Sequence, residues 1–162
     1  MFAHPQCPCT KASLGELESL VAKGKDRFDA AVVFYQPPDA SLEWSNTVLI
    51  GTARAIPGVR VIFDRGATAA KQFGAETSGH TVLYASDGRL LFSGGITASR
   101  GHLGDNAGFD AILKLVKDDV IKSKVRSTPV FGCSLLDTCG GTATKMNLNA
   151  KTPRTQSSQS TD

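Results

Sequence analysis

Hydrophobic residues recur with a helical period in four segments of this chain. The leucines within residues 14–20 fall on one face of the first segment, which predicts an amphipathic helix. Thr10 or Ser13 is the predicted N-cap of this helix, and Gly24 is its predicted end. The other three predicted helices span residues 41–55, 68–73 and 109–122.

Short apolar runs without helical spacing separate these helices. Residues 30–35 and 59–63 are almost entirely apolar, which is typical of strands buried on both faces of a sheet. Residues 81–84 and 90–92 flank the pair Asp87-Gly88, a strong signal for a β-hairpin. Strands that alternate with helices and end in a hairpin and a final helix predict an α/β fold with a mixed sheet.

The two ends of the chain depart from this pattern. Only residues 1–3 are available as the strand that should lead into the first helix, so we predict a truncated first strand. From about Gly140 onward the residues are mainly Thr, Ser, Gln, Asn and Lys, which predicts a disordered tail. We therefore divide the chain into a globular domain (1–126), an extension with two cysteines (127–139) and a tail (140–162).

Composition and charge narrow the class of protein. The 162 residues are 41% hydrophobic and 20% charged, ordinary values for one globular domain. The net charge of +3, with scattered Lys and Arg, is too small to indicate nucleic acid or a membrane surface as the partner. No apolar stretch is long enough to span a bilayer.

The four cysteines fall in two pairs near opposite ends of the chain. Cys7 and Cys9 flank a proline directly ahead of the first helix, where the helix dipole and unpaired backbone N–H groups favour a thiolate. We predict that Cys7, as the outer thiol, attacks a partner disulfide and that Cys9 resolves the product. Cys133 and Cys139 have three open roles: a second disulfide, an anchor for the tail, or an electron relay, with the structural roles favoured.

His4 lies three residues before Cys7 and has three interpretations. It can accept a proton from Cys7 or stabilise its thiolate, or it can be an exposed loop histidine. A third interpretation, ranked below these, joins His4 with Cys7 and Cys9 in a soft metal site suited to copper(I) or zinc.

A cysteine pair before a helix, followed by this order of strands and helices, resembles the thioredoxin-like superfamily. The segment His4-Pro-Gln-Cys-Pro-Cys-Thr-Lys-Ala-Ser13 is similar, more narrowly, to bacterial RedB-like thioredoxin-domain proteins. Residues 92–106 and the segment Thr128-Pro-Val-Phe-Gly-Cys133 belong to the same resemblance, which covers about residues 2–135. It implies a three-layer sandwich in which a mixed sheet carries a C-terminal hairpin and helix.

The resemblance also implies where a partner binds. Thioredoxins place a cis-proline before the strand that faces the active site, and here that position is Gly79-His80-Thr81, without a proline. His80 and Thr81 are therefore candidate substrate-binding residues. The glycine-rich segment after the hairpin should lie beside the cysteines, where Arg100 and His102 can lower a thiol pKa or hold an acidic group. Asp105 or Asn106 in that segment is the expected cap of the last helix.

These features together predict a monomeric thiol–disulfide oxidoreductase that exchanges disulfides with a protein partner and needs no cofactor. Two alternatives stay open: a copper- or other metal-binding module using His4, Cys7 and Cys9, and a non-catalytic interaction domain. Proteins of this kind often carry an N-terminal anchor or export signal. A start upstream of Met1 would therefore predict a periplasmic or membrane-anchored protein, whereas the sequence as printed predicts a cytoplasmic one.

Overall fold

The computed structural model of this protein describes residues 1–117 and 124–136. The strands are β1 (Phe2–Ala3), β2 (Ala30–Gln36), β3 (Val59–Arg65), β4 (Thr81–Tyr84), β5 (Leu90–Gly94) and β6 (Arg126–Ser127). The helices are α1 (Thr10–Gly24), α2 (Val48–Ala55), α3 (Thr68–Gln72) and α4 (Ala107–Lys117), with a 3₁₀ turn at Leu42–Ser45. Cys139, the predicted tail and residues 118–122 of the last predicted helix lie outside the described residues.

The fold is α/β, with two three-stranded sheets. The first sheet has the order β1-β2-β3 and is parallel throughout. In the second, of order β4-β5-β6, the pair β4-β5 is antiparallel and β6 runs parallel to β5. The hairpin predicted at Asp87-Gly88 is confirmed by the β4-β5 pairing.

The short strand β1 connects the two sheets. On one side Phe2 is in register with Val33 of β2. On the other side the Phe2 N–H donates to the His80 carbonyl at 2.7 Å, and its carbonyl accepts from the Gly79 N–H at 2.8 Å. Gly79 has φ +97°, a conformation that favours glycine. Two residues are therefore enough to hold the strand in place, because both edges of β1 are hydrogen-bonded.

Apolar side chains pack on both faces of β2. Val32 and Phe34 belong to a large core that includes residues of α1, α2, β5 and α4. Val33 and Tyr35, which point to the opposite face of the strand, pack against a smaller cluster that includes Phe2 and Leu135. This burial on both faces explains the almost continuous apolar sequence of β2.

The predicted helix over residues 41–55 is wrong as one continuous element. A 3₁₀ turn covers Leu42–Ser45, and α2 begins only at Val48. Thr47 has extended dihedrals (φ −91°, ψ 158°), and its side-chain oxygen accepts a hydrogen bond from the Ile50 N–H. This N-cap separates the two segments because an extended N-cap residue cannot continue a helix from its N-terminal side.

The last helix begins close to the predicted position. The Asn106 side chain accepts a hydrogen bond from the Phe109 N–H at 2.8 Å, so Asn106 rather than Asp105 provides the predicted cap. Across residues 1–117 and 124–136, every helix is too short or too polar to cross a lipid bilayer.

Candidate thiol site

Cys7 and Cys9 lie in a tight turn that leads into α1. The Thr10 N–H donates to the Cys7 carbonyl at 3.0 Å, and the Ala12 N–H donates to the Cys9 carbonyl at 3.2 Å. Cys9 is the N-cap residue, has helical dihedrals (φ −67°, ψ −23°) and makes no side-chain cap. The expectation that Thr10 or Ser13 caps α1 is wrong, because Thr10 is already the first residue of the helix.

Cys133 brings a third thiol to this turn. Its Sγ lies 2.9 Å from the Sγ of Cys7, and its backbone N–H donates to the same sulfur at 3.4 Å. Cys7 is fully buried, whereas Cys9 is partly exposed. The expectation that Cys7 is the outer thiol of the pair is therefore wrong: Cys9 is the more exposed of the two.

Backbone pairing holds Cys133 over Cys7. The Ser78 N–H donates to the Cys133 carbonyl, and the Leu135 N–H donates to the Glu76 carbonyl, both at 2.8 Å. Thr77 and Ser134 form the antiparallel bridge between these two hydrogen bonds. We call residues 131–136 the C-terminal strap, since they lie along residues 76–78 as a short strand would.

Side-chain packing and close backbone approach fix the C-terminal strap further. Leu135 is 1% exposed and belongs to the smaller apolar cluster. Gly132 lies so close to residue 78 that a Cβ there would stand 2.0 Å from the Ser78 carbonyl oxygen. The position of Cys133 is therefore fixed by Gly132 before it and by Leu135 after it.

The electrostatics of the site distinguish the two N-terminal cysteines. Burial raises the pKa of Cys7, but hydrogen bonds from the thiol and N–H of Cys133, with smaller ones from Cys9 and Thr10, lower it below the usual value for a thiol. The pKa of Cys9 is raised, first by burial and then by the charge of a Cys7 thiolate and a hydrogen bond to it. The guanidinium of Arg100 acts in the opposite direction on Cys9. Cys7 is thus the thiol that ionises more readily.

His4 is buried, so the interpretation of an exposed loop histidine is wrong. Its ring centroid lies 5.8 Å from that of Tyr35 and 5.3 Å from that of Trp44. Its Nδ1 accepts a hydrogen bond from the Gln6 N–H at 3.2 Å, and its Nε2 has no hydrogen-bond partner. Burial lowers the pKa of His4. Neither ring nitrogen is hydrogen-bonded to Cys7, so the structure does not join these two side chains as the interpretation of His4 as a proton acceptor or thiolate partner requires.

Ser78 links the thiol turn to the loop before β4. Its Oγ accepts from the His4 N–H at 2.9 Å and lies 2.8 Å from the Thr10 Oγ1. In the same loop, His80 Nε2 lies 2.9 Å from the Ser93 Oγ, and the buried Thr81 hydroxyl donates to the Gly79 carbonyl. The side chains of His80 and Thr81, which the sequence predicts to bind substrate, therefore contact other residues of this chain. No cis peptide bond occurs among the described residues.

The glycine-rich segment after β5 contacts α1. The carboxylate of Glu16 accepts a hydrogen bond from the Gly104 N–H at 2.6 Å. Arg100 is exposed and close to Cys9. Its charge lowers the pKa of that thiol, as the sequence predicts for a thiol near this segment, although burial and Cys7 raise the pKa by more. His102 is also exposed, and its N–H donates to the Ser99 carbonyl within the segment. Arg100 thus lies near the thiols, whereas no contact joins His102 to them.

The described residues form no metal-binding cluster, and the described cysteines do not line the apolar cleft beside β1. Among the residues that the structure describes, no three or more His, Cys, Asp or Glu side chains converge in a way that would hold a metal ion. A mainly apolar cleft of about 610 Å³ lies beside β1, where Met1, Phe2 and Phe73 are among its lining residues. No described cysteine lines this cleft.

The thiol site was only partly predictable from the sequence. The pair Cys7 and Cys9 ahead of a helix was a local signal, but the contact between Cys7 and Cys133 joins residues 126 positions apart. The signal that points to Cys133 is its place in the segment 128–133, which the resemblance includes while leaving Cys139 outside.

Comparisons with protein-family models, with curated proteins and with solved structures give no match to this chain.

Proposed function

We propose that this protein is a thioredoxin-like thiol–disulfide oxidoreductase whose attacking thiol is Cys7. The observation that carries the proposal is the environment of Cys7: a sulfur directly before α1, with a lowered pKa and a second thiol in contact with it. A thiolate is the species that attacks a disulfide, so a lowered pKa raises the reactive fraction at neutral pH. The short β1 leading into α1, and the β4-β5 hairpin followed by α4, support a thioredoxin-like arrangement.

The reaction consists of two exchanges of one disulfide bond. The Cys7 thiolate attacks one sulfur of the partner disulfide, forms a mixed disulfide and releases the other partner sulfur as a thiolate. A second thiol of this chain then attacks Cys7 and releases the remaining partner sulfur. The partner gains two electrons and two protons, and this chain loses them in forming an internal disulfide. The sequence motif Cys7-Pro8-Cys9 by itself favours Cys9 as the thiol of the second step.

The exposed surface around the thiols favours a protein partner with acidic character. Arg100 is exposed, and its positive charge is near enough to Cys9 to act on the pKa of that thiol. A guanidinium binds carboxylates through directed hydrogen bonds, so an acidic side chain near the partner disulfide would be held here.

The experiment that tests the proposal is reduction of insulin disulfides by the purified protein with dithiothreitol as electron source. We expect Cys7→Ser to reduce the rate to the background of dithiothreitol alone, because serine cannot form a disulfide. Cys139→Ser is the matched control, since it removes a thiol for which we propose no part in the exchange. Circular dichroism verifies that both variants fold. Activity of Cys7→Ser equal to that of the parent would refute the proposal.

A further inference from the structure

Cys133 is placed better than Cys9 to form a disulfide with Cys7. The two sulfur atoms of Cys7 and Cys133 are 2.9 Å apart, and a disulfide bond is about 2.05 Å long, so they need to approach by about 0.9 Å. Such a movement is within the range of small side-chain rotations and leaves the backbone of both segments in place. We therefore propose that Cys133 is the resolving thiol for Cys7.

The geometry of the thiol turn opposes the alternative pair. Cys9 has helical dihedrals, and the Thr10 N–H is hydrogen-bonded to the Cys7 carbonyl, so residues 7–10 already form a helical turn. The Cys9 thiol reaches the Cys7 sulfur, because a hydrogen bond between the two contributes to the raised pKa of Cys9. A disulfide between residues only two positions apart, however, closes a small and strained ring, and forming it would distort this turn.

The C-terminal strap holds the Cys133 thiol in the orientation needed to attack Cys7. Hydrogen bonds at the Cys133 carbonyl and the Leu135 N–H hold the backbone that follows the Cys133 Cα, and the Leu135 side chain is buried. A thiol held in contact with its target reacts as if at very high local concentration, because little orientational freedom remains to be lost. Once Cys7 carries a partner sulfur, the thiolate of Cys133 attacks Cys7, forms the Cys7–Cys133 disulfide and releases the partner thiolate, which takes up the proton.

This inference rests on the proposed exchange at Cys7 and changes only the thiol that completes it. The test treats the reduced full chain with glutathione disulfide, quenches with acid and alkylates the remaining thiols. Trypsin separates the two N-terminal cysteines from the rest after Lys11, and cleavage before Asp137 separates Cys133 from Cys139. Mass spectrometry of the linked peptides then identifies the internal disulfide. Cys133→Ser, Cys9→Ser and Cys139→Ser are compared with the parent.

We expect a Cys7–Cys133 linkage in the parent, in Cys9→Ser and in Cys139→Ser. In Cys133→Ser we expect the glutathione adduct on Cys7 to persist on the order of tenfold longer than in Cys9→Ser, because the oriented attacking thiol is missing. A Cys7–Cys9 linkage in the parent, with the adduct persisting only in Cys9→Ser, would overturn the inference while leaving the proposed function intact. Absence of any adduct or linkage at Cys7 in all four proteins would overturn both.

A last outcome separates a resolving thiol from a structural disulfide. If Cys7 and Cys133 become linked under air oxidation, but the parent neither forms the adduct nor reduces insulin, the linkage is structural and the resolving role fails. Circular dichroism and a thermal melt of each variant show whether a lost reaction reflects unfolding. Cys133→Ala serves as a second variant where Cys133→Ser is poorly folded.

Discussion

Replacing Gly132 by alanine should detach the C-terminal strap from residues 76–78. The added Cβ would stand 2.0 Å from the Ser78 carbonyl oxygen and 3.3 Å from the Thr77 Cγ2. Because real Cβ atoms essentially never approach closer than 3.0 Å, the strap must retreat by about 1 Å, and the obstacle is backbone rather than a flexible side chain. A retreat of this size breaks the 2.8 Å hydrogen bond between the Ser78 N–H and the Cys133 carbonyl.

The cost to stability follows from the bonds that are lost. The strap is joined to residues 76–78 by two backbone hydrogen bonds, and each contributes about 0.5–1.5 kcal/mol net. We therefore expect Gly132→Ala to lower the free energy of unfolding by about 1–3 kcal/mol, measured by urea denaturation.

The same substitution should change the chemistry of Cys7. The hydrogen bonds from the thiol and the N–H of Cys133 are the two main contributions that lower the pKa of Cys7, so their loss should raise that pKa towards the usual value for a thiol. The assay is the rate of Cys7 alkylation by iodoacetamide as a function of pH, with the modified residue identified by mass. The midpoint of the profile reports the pKa and is independent of how accessible the sulfur becomes.

Gly51→Ala is the matched control for this experiment. A Cβ at Gly51 meets nothing within 4 Å, and the residue lies on the exposed side of α2. Alanine is more favourable than glycine in a helix by roughly 0.5–1 kcal/mol, so this variant should be slightly stabilised with no change in the Cys7 profile. An unchanged midpoint and an unchanged free energy of unfolding in Gly132→Ala would refute the assigned position of the strap.

Three further substitutions test other parts of the structure. Asp64→Ala should lower the free energy of unfolding, measured by urea denaturation, by about 2–3 kcal/mol. The reason is that the buried carboxylate accepts hydrogen bonds from the N–H groups of Ala69 and Ala70, in the first turn of α3, at 2.9 and 2.8 Å. Asp64→Asn keeps one acceptor oxygen and should lower the free energy of unfolding by less. His4 has a lowered pKa in the fold, so below its ordinary value of 6.5 the unfolded chain takes up the proton first and stability falls with decreasing pH. Urea denaturation at several pH values should show a shallower fall, by at most about 1.4 kcal/mol per pH unit, in His4→Gln; equal slopes would contradict the burial of a neutral ring. Arg100→Ala should raise the pKa of Cys9 and slow the alkylation of Cys9 near neutral pH, whereas Arg100→Lys, which keeps the positive charge, should not. Identical pH profiles of alkylation in the parent and both variants would place Arg100 away from Cys9.

Elements with strong local signals were predicted well. The hairpin followed from Asp87-Gly88, where Gly88 has φ +84° in the turn between β4 and β5. Helix α1 ends at Gly24 as predicted, although the left-handed conformation that follows it is adopted by Lys25 (φ 48°) and not by the glycine. Both signals act between residues that are neighbours in the chain, so their effect does not depend on the rest of the fold.

Predictions that depended on distant neighbours were less successful. The helix predicted over 41–55 failed for a local reason instead, because the Thr47 side chain caps the Ile50 N–H and starts a new helix. Cys7 was expected to be the outer thiol because it precedes α1, yet it is fully buried and in contact with Cys133. His4 lies among Tyr35 and Trp44, two aromatic residues that no local pattern connects with it.

The sequence by itself determined the order of the elements from β1 to α4, the α/β class and the presence of two thiols ahead of an amphipathic helix, but not β6. These properties follow from side-chain periodicity and turn residues, which act over a few positions. Only the tertiary structure decided which thiol faces Cys7 and which of the two N-terminal thiols is buried. That choice depends on a backbone pairing between residues 76–78 and the C-terminal strap, and such a pairing forms only when the intervening chain has folded.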